Sequence, residues 1–291
     1  MQRYRARMAT TTRSARETFR VPQGGVDLSA IDPGATPIGP QGKGKAAKAM
    51  TELGARLDAR QEALYAAAVG GTSPRAVLLV LQGMDTSGKG GVISHVAGLV
   101  NPQGLHIASF KRPTPEELAH DFLWRIRKQV PHAGMIGVFD RSHYEDVLVV
   151  RVDGLVGEPE WRSRYERINA FEAEFDEQGV AIVKCMLHIS PQTQAERLAA
   201  RLDDPQKHWK YNPGDLDARA KWTDYQAAYA DALAHCDTHA APWYVVPSDR
   251  KWYRNWAVAA LLAETLDAID PQYPPADFDV EAEKARVRAA V

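Results

Sequence analysis

The stretch Ala76-Val77-Leu78-Leu79-Val80-Leu81-Gln82-Gly83-Met84-Asp85-Thr86-Ser87-Gly88-Lys89 decides how the rest of the chain is read. Its first six residues form a continuous apolar run of strand length, the pattern of a central parallel strand buried on both faces. Gly83 to Lys89 then fits GxxxxGK. In such a loop backbone N–H groups close around a phosphate, the helix that follows adds positive potential, and the lysine neutralises the bridging charge. Glycine-rich turns that bind nothing share this composition, but the strand before and the helix after supply the context that a phosphate loop requires. Gly83, Gly88 and Gly90 are thus candidate phosphate-binding positions, and Lys89 is a candidate catalytic cation. Gly90 stands where a serine or threonine usually ligates magnesium. Asp85, inside the loop, is the substitute candidate, because magnesium takes one or two carboxylates together with phosphate oxygens. A carboxylate in a phosphate cradle is costly unless a cation lies between them. Turn capping is the alternative role for Asp85.

Outward from this loop the chain alternates strand and helix. Helical periodicity over Lys43 to Val69 places Met50, Leu53, Leu57, Leu64 and Ala68 on one face, and Gly70 and Gly71 stop it. Strands are expected near Leu105–Ser109, Met135–Phe139, Val180–Leu187 and Trp243–Val246. Helices are expected near Thr114–Gln129, Trp161–Gln178, Pro191–Leu202, Leu216–His235 and Arg250–Leu266. Such alternation indicates an α/β fold, a parallel sheet with helices on both faces. Residues 1–43, punctuated by Pro22, Gly24, Gly25, Pro33, Gly34 and Pro37, read as an extended leader, either disordered or wrapped over the domain or a neighbouring subunit. Residues 44–291 read as one domain built on the phosphate loop.

Composition narrows the classes. The chain has 291 residues, 36 Lys+Arg against 37 Asp+Glu, 45% hydrophobic and 25% charged residues. That is a globular balance, which excludes a wholly disordered chain and argues against a generally basic nucleic-acid binder, while leaving room for a local basic groove. Cys185 and Cys236 are the only cysteines, which argues against a disulfide framework or a zinc site. No apolar run is long enough to span a bilayer and no secretory core is present, so the expected address is cytoplasmic, with no membrane and no nucleic acid as partner.

A second acidic site follows Met135-Ile136-Gly137-Val138-Phe139. An apolar strand ending in Asp140 is the Walker B arrangement, which puts a carboxylate at the carboxyl edge of the sheet beside the phosphate loop. Arg141 is placed to reach a phosphate and stabilise charge in transfer, with an ion pair to Asp140 or Glu145 as the alternative. Glu145 and Asp146 receive only a supporting role. Arg197 and Arg201, four apart on a helix, share a face. The stretch at about 203–215, with Lys207, His208, Trp209, Lys210 and Tyr211, suits a mobile lid over phosphates, or else a solvated loop. Lys111 and Arg112 would lie at the same sheet edge. So many cations at one edge suit a polyanion longer than a triphosphate. Trp209, Trp222, Trp243, Trp252 and Trp256 read as core and subunit contacts.

Leu81 to Gly91, Phe139-Asp140-Arg141-Ser142-His143-Tyr144-Glu145-Asp146-Val147 and Asp204-Pro205-Gln206-Lys207-His208-Trp209-Lys210 together resemble the polyphosphate kinase 2 family, as do Asn101-Pro102-Gln103-Gly104 and Ser109 to Glu117. The resemblance spans roughly Gly24 to Tyr273. It implies a thymidylate-kinase-like P-loop fold with a helical lid. It also implies reversible, magnesium-dependent phosphoryl transfer between inorganic polyphosphate and adenine or guanine nucleotides, and a homodimer or homotetramer. By the same resemblance Asp85, Lys89, Asp140, Arg141 and Arg201 are catalytic, Asp85 and Asp140 hold the metal, and Lys207 and Lys210 bind phosphate from the lid; Arg197 competes with Arg201. An ATP-dependent nucleoside monophosphate kinase would use the same loop. A non-catalytic nucleotide switch is disfavoured by the lack of NKxD and LSGGQ motifs.

Overall fold

The computed structural model describes residues 13–290; the first twelve residues of the expected leader lie outside that range. Five strands, β1 (Ala76–Gln82), β2 (Leu105–Ser109), β3 (Ile136–Asp140), β4 (Val180–His188) and β5 (Trp243–Pro247), form one all-parallel sheet in the order β2-β3-β1-β4-β5. Every residue of the central strand β1 is buried, as an uninterrupted apolar run predicts. Its side chains alternate between two layers. Val77, Leu79 and Leu81 pack in one cluster with Leu57, Leu64, Leu261 and Leu262. Ala76, Leu78 and Val80 pack in another with Phe139, Phe171, Phe175 and Ile182.

In chain order the helices are α1 (Ala15–Phe19), α2 (Lys43–Val69), α3 (Lys89–His95), α4 (Pro115–Leu118), α5 (Trp124–Arg127), α6 (Val149–Val152), α7 (Glu158–Glu177), α8 (Pro191–Leu202), α9 (Gly214–Ala220), α10 (Trp222–Cys236), α11 (Lys251–Ile269) and α12 (Val280–Ala289). Helices α2, α3 and α11 cover one face of the sheet; α7 and α10 cover the other. Among the described residues no helix is long and apolar enough to cross a membrane.

Three expected elements differ. The helix foreseen over Thr114–Gln129 is two single turns. Thr114 and Glu117 form a capping box that starts α4, but the Asp121 carboxylate accepts from the Leu123 N–H at 3.0 Å, a local bond that competes with helix propagation. The helix foreseen over Leu216–His235 breaks at Lys221, whose backbone (φ −96°, ψ 26°) departs from helical geometry while its ammonium reaches Asp153 at 2.7 Å. Within the segment read as extended, Ser14 and Glu17 form a capping box that nucleates α1. Phe19 of α1 packs edge-on against Tyr253, and the Ala15 and Arg16 N–H groups donate to Glu264 at 2.8 and 2.9 Å.

Candidate active site

The chain steps from β1 outward to β2 and back to β3 on one side, and to β4 and β5 on the other. The sheet order therefore reverses at β1, and the crevice at the carboxyl end of such a strand is where open α/β sheets bind ligands. Gly83–Ser87 and Asp140–Arg141 emerge there together. Leu81 is in register with Asp140, and the Arg141 N–H donates to the Leu81 carbonyl at 3.1 Å.

The loop is tightly formed. Gly83 has φ +147° and an added Cβ would stand 2.7 Å from the Leu187 carbonyl; Gly88 has φ +111°. Thr86 and Arg141 are non-glycine residues at φ 65°, a backbone strain that persists where surrounding structure enforces it, and most often at functional sites. The Lys89 ammonium donates to the Gly83 carbonyl at 2.7 Å. Burial, helped by the Arg141 charge, lowers the Lys89 pKa against the pull of Asp85, Asp140 and Glu145. Two buried hydroxyls of the loop, Thr86 Oγ1 and Ser87 Oγ, have no hydrogen-bond partner among the described residues.

Around the loop lies a cluster of alternating charge. Arg141 donates to Asp85 Oδ1 at 2.9 Å and to Glu145 Oε2 at 3.2 Å, so the ion-pair reading of Arg141 holds for Glu145, with Asp85 in place of Asp140. Glu145 first, and Asp85 with it, raises the Arg141 pKa against burial. The Asp140 side chain makes no hydrogen bond among the described residues. A small cavity beside this cluster is lined by Gly83, Asp85, Arg141, Glu145, Tyr225 and Tyr229. Both phenols are buried, and burial keeps them protonated, Tyr225 with a pKa pushed up to about 12.

The two candidate arginines of α8 separate by their contacts. Arg197 donates to the carbonyls of Thr86 (2.8 Å), Ser87 (3.2 Å), Ser248 (2.7 Å) and Asp249 (2.9 Å). Both terminal nitrogens are bonded to backbone carbonyls, so it braces the loop after β1. Arg201 pairs with Asp215 at 3.0 Å and donates to the Lys210 carbonyl at 2.9 Å, tying α8 to the 3₁₀ turn Pro205–Lys210. In that turn Lys207 is exposed and paired with Asp204, and Lys210 lies over the Trp209 ring. Trp209 is 79% exposed, unlike buried Trp243 and Trp256, so of the two expected roles, core and subunit contact, it does not fill the first. Lys111 and Arg112 are exposed just past β2.

A buried polar network sits beneath the turn that carries Glu145. Lys184, in the middle of β4, donates to Glu172 (2.5 Å), the Tyr144 hydroxyl (2.7 Å) and the Cys236 carbonyl (2.7 Å). Glu172 also meets His143 Nε2 at 3.1 Å and accepts from the Tyr144 hydroxyl at 2.9 Å. Sequence reasoning passed over this network and Arg254, although a lysine inside an apolar strand is itself a signal that a buried acid must be near.

The donor set fits a magnesium ion. Among the described residues no three His, Cys, Asp or Glu side chains gather into a metal cage. Asp85 and Asp140 offer hard carboxylate oxygens, the sparse set suited to an ion that keeps waters and substrate phosphate oxygens.

The polyphosphate kinase 2 family model matches residues 43–274. An AMP/ADP-polyphosphate phosphotransferase from Meiothermus ruber is 47% identical over 88% of this chain and 94% of its own length. An ADP-polyphosphate phosphotransferase from Rhodopseudomonas palustris is 41% identical over 75% and 78%. The crystal structure of polyphosphate kinase 2 from Arthrobacter aurescens TC1 superposes with a TM-score of 0.93 at 50% identity, covering 96% of this chain and 98% of that one.

Proposed function

Because this chain belongs to the polyphosphate kinase 2 family, we propose that it moves the terminal phosphoryl group of inorganic polyphosphate onto a nucleoside diphosphate or monophosphate, reversibly and with magnesium. The observation that carries this reading is the convergence of the Lys89 loop, the free Asp140 carboxylate and the Arg141 guanidinium at the point where the sheet order reverses. Phosphoryl transfer needs alignment and charge stabilisation more than covalent participation, and this site supplies both.

Backbone N–H groups of the loop hold the donor phosphates, and Lys89 neutralises the charge between them. Asp85 and Asp140 hold magnesium, which supplies Lewis-acid charge neutralisation when bound. Arg141, oriented between Asp85 and Glu145, stabilises charge on the transferring group. The acceptor phosphate oxygen is already ionised, so Asp140 serves to orient and not to deprotonate. Arg201, Lys207 and Lys210 close over the phosphate chain from the lid. Lys111 and Arg112 extend the cationic edge. We assign the protein to the cytoplasm as a homo-oligomer, its state to be read by light scattering.

The test is incubation of the purified protein with polyphosphate, magnesium and either AMP or ADP, with the nucleotides resolved by chromatography. ATP from ADP establishes the activity, and ADP plus ATP from AMP extends it to monophosphates. Phosphorylation that requires ATP and ignores polyphosphate would overturn the substrate assignment while leaving the fold intact.

A further inference from the structure

One guanidinium behind the phosphate loop has no carboxylate partner among the described residues. Arg254, in the first turn of α11, is 3% exposed. It donates to the Ser87 carbonyl at 3.1 Å and to Asn255 Oδ1 at 3.2 and 2.8 Å, and among the described residues it forms no ion pair. Its charged neighbour is another arginine: Arg197 donates to the same Ser87 carbonyl. Burial, with the repulsion of Arg197, pushes the Arg254 pKa down to about 10. Lys251, in the same turn, is depressed by burial and by Arg197, Arg254 and Lys207. Buried charges are ordinarily paired, because desolvation is expensive. Asp249 and Glu196 act on neighbouring Arg197, but among the described residues no carboxylate pairs with Arg254 itself.

The loop is shaped around this group. A Cβ on Gly88 would lie 1.7 Å from Arg254 Nη1, and one on Gly91 would lie 2.6 Å from Nη2. The glycines of Gly88-Lys89-Gly90-Gly91 therefore admit the guanidinium against the loop backbone, whereas Gly90 itself faces open space. Lys89, reaching over the Gly83 carbonyl, adds a further cation.

We propose that Arg254 is a positioning residue of the phosphate loop, whose buried charge is balanced only when a polyanionic phosphate chain occupies that loop. The proposal rests on the reading of polyphosphate as donor and assigns Arg254 a part in holding it. The guanidinium acts through the Ser87 carbonyl and the adjoining backbone, raising the potential at the loop without touching the acceptor nucleotide.

The full-length chain carrying Arg254→Gln tests this, since glutamine can still donate to the Ser87 carbonyl but has no charge. Thermal unfolding is followed with and without magnesium and polyphosphate, alongside kinetics in both substrates. The wild type is expected to gain thermal stability from polyphosphate. Arg254→Gln is expected to melt no lower than wild type when free, to lose most of the ligand-induced shift, and to raise the polyphosphate KM about tenfold, the scale of one charged contact, with the nucleotide KM unchanged within about twofold. Arg254→Lys should restore the shift. An Arg254→Gln protein with lowered intrinsic stability but a wild-type ligand shift and polyphosphate KM would overturn the proposal and leave a packing role. If Arg254→Gln fails to fold, Arg254→Lys decides: a wild-type polyphosphate KM supports the charge, and a tenfold rise with intact folding refutes it. Should the wild type show no polyphosphate-dependent turnover, the donor assignment fails by itself. The shift induced by inorganic triphosphate, compared between wild type and Arg254→Gln, then still judges Arg254.

Discussion

Replacing Lys184 with methionine removes one charge from a fully buried polar network. Lys184 and Glu172 are both fully buried. The lysine's three donors are all used, on Glu172, Tyr144 and the Cys236 carbonyl. Burial alone would raise the Glu172 pKa, but Lys184 and His143 hold it below the ordinary value. A group with a depressed pKa contributes stability above its unfolded value and loses it as pH falls. In Lys184→Met the carboxylate is left buried without its cation, a change that typically costs about 3–5 kcal/mol. At roughly 2 °C per kcal/mol for a domain of this size, the melting temperature at pH 7 should fall by roughly 6–10 °C. The deficit should shrink as the pH falls through the carboxylate range, because Glu172 then takes up a proton in the variant. Lys184→Met combined with Glu172→Leu removes both charges and should recover much of the loss. Differential scanning calorimetry reads all three proteins. A single variant melting within about 2 °C of wild type, or a double variant no better than the single, would refute the argument that Glu172 depends on Lys184 to stay buried as a carboxylate.

Other consequences follow from individual positions. Asp140→Asn should cut turnover by orders of magnitude with a far smaller change in nucleotide affinity, measured by steady-state kinetics and calorimetric titration; near-normal turnover would remove Asp140 from the mechanism. Gly88→Ala should be strongly destabilising, because φ is +111° and the new methyl would collide with Arg254, with the backbone term alone costing about 1–2 kcal/mol. Gly90→Ala, facing open space in the first turn of α3, should instead stabilise by up to about 1 kcal/mol, and thermal denaturation of the two variants should give opposite signs. The Asp146 pKa is raised from 3.8 to about 6 by burial, against the pull of Arg164. The folded state therefore binds the extra proton, and stability from this group falls as pH rises from about 4 to 6. The stability difference between wild type and Asp146→Asn should change across that window and stay flat above it. Chelation of divalent metal should abolish turnover, and added magnesium should restore it.

Much of the fold is legible in the sequence because β1 combines an unbroken apolar run with a glycine loop, two signals that seldom agree by chance. The breaks in the expected helices are less visible. At Asp121 a side chain captures a backbone N–H, and at Lys221 the chain bends toward Asp153; local pattern does not weigh such competitors. The site divides the same way. Asp85, Lys89, Asp140 and Arg141 lie in short motifs attached to strands whose register brings them together. Arg254, Tyr225, Tyr229 and Glu172 reach the same region from helices far along the chain, so their roles come from packing. The spacing of Arg197 and Arg201 places both on one face, yet only contacts reveal that one braces the loop after β1 and the other ties α8 to the turn Pro205–Lys210 and to Asp215.

The antiparallel bridge between Arg20 and Tyr244, with the Val21 N–H donating to the Trp243 carbonyl at 3.0 Å, lies on β5, one of the two edge strands of the sheet. β5 is Trp243-Tyr244-Val245-Val246-Pro247, buried throughout. Uncovered, such an edge would offer its unpaired amides and an apolar surface as a template for another chain. The short segment after α1 thus occupies part of that edge, and Pro247, which has no N–H to offer, ends the strand. A truncation that removed residues 13–21 would be expected to reveal itself first in solubility, before any change in the chemistry at the opposite end of the strands.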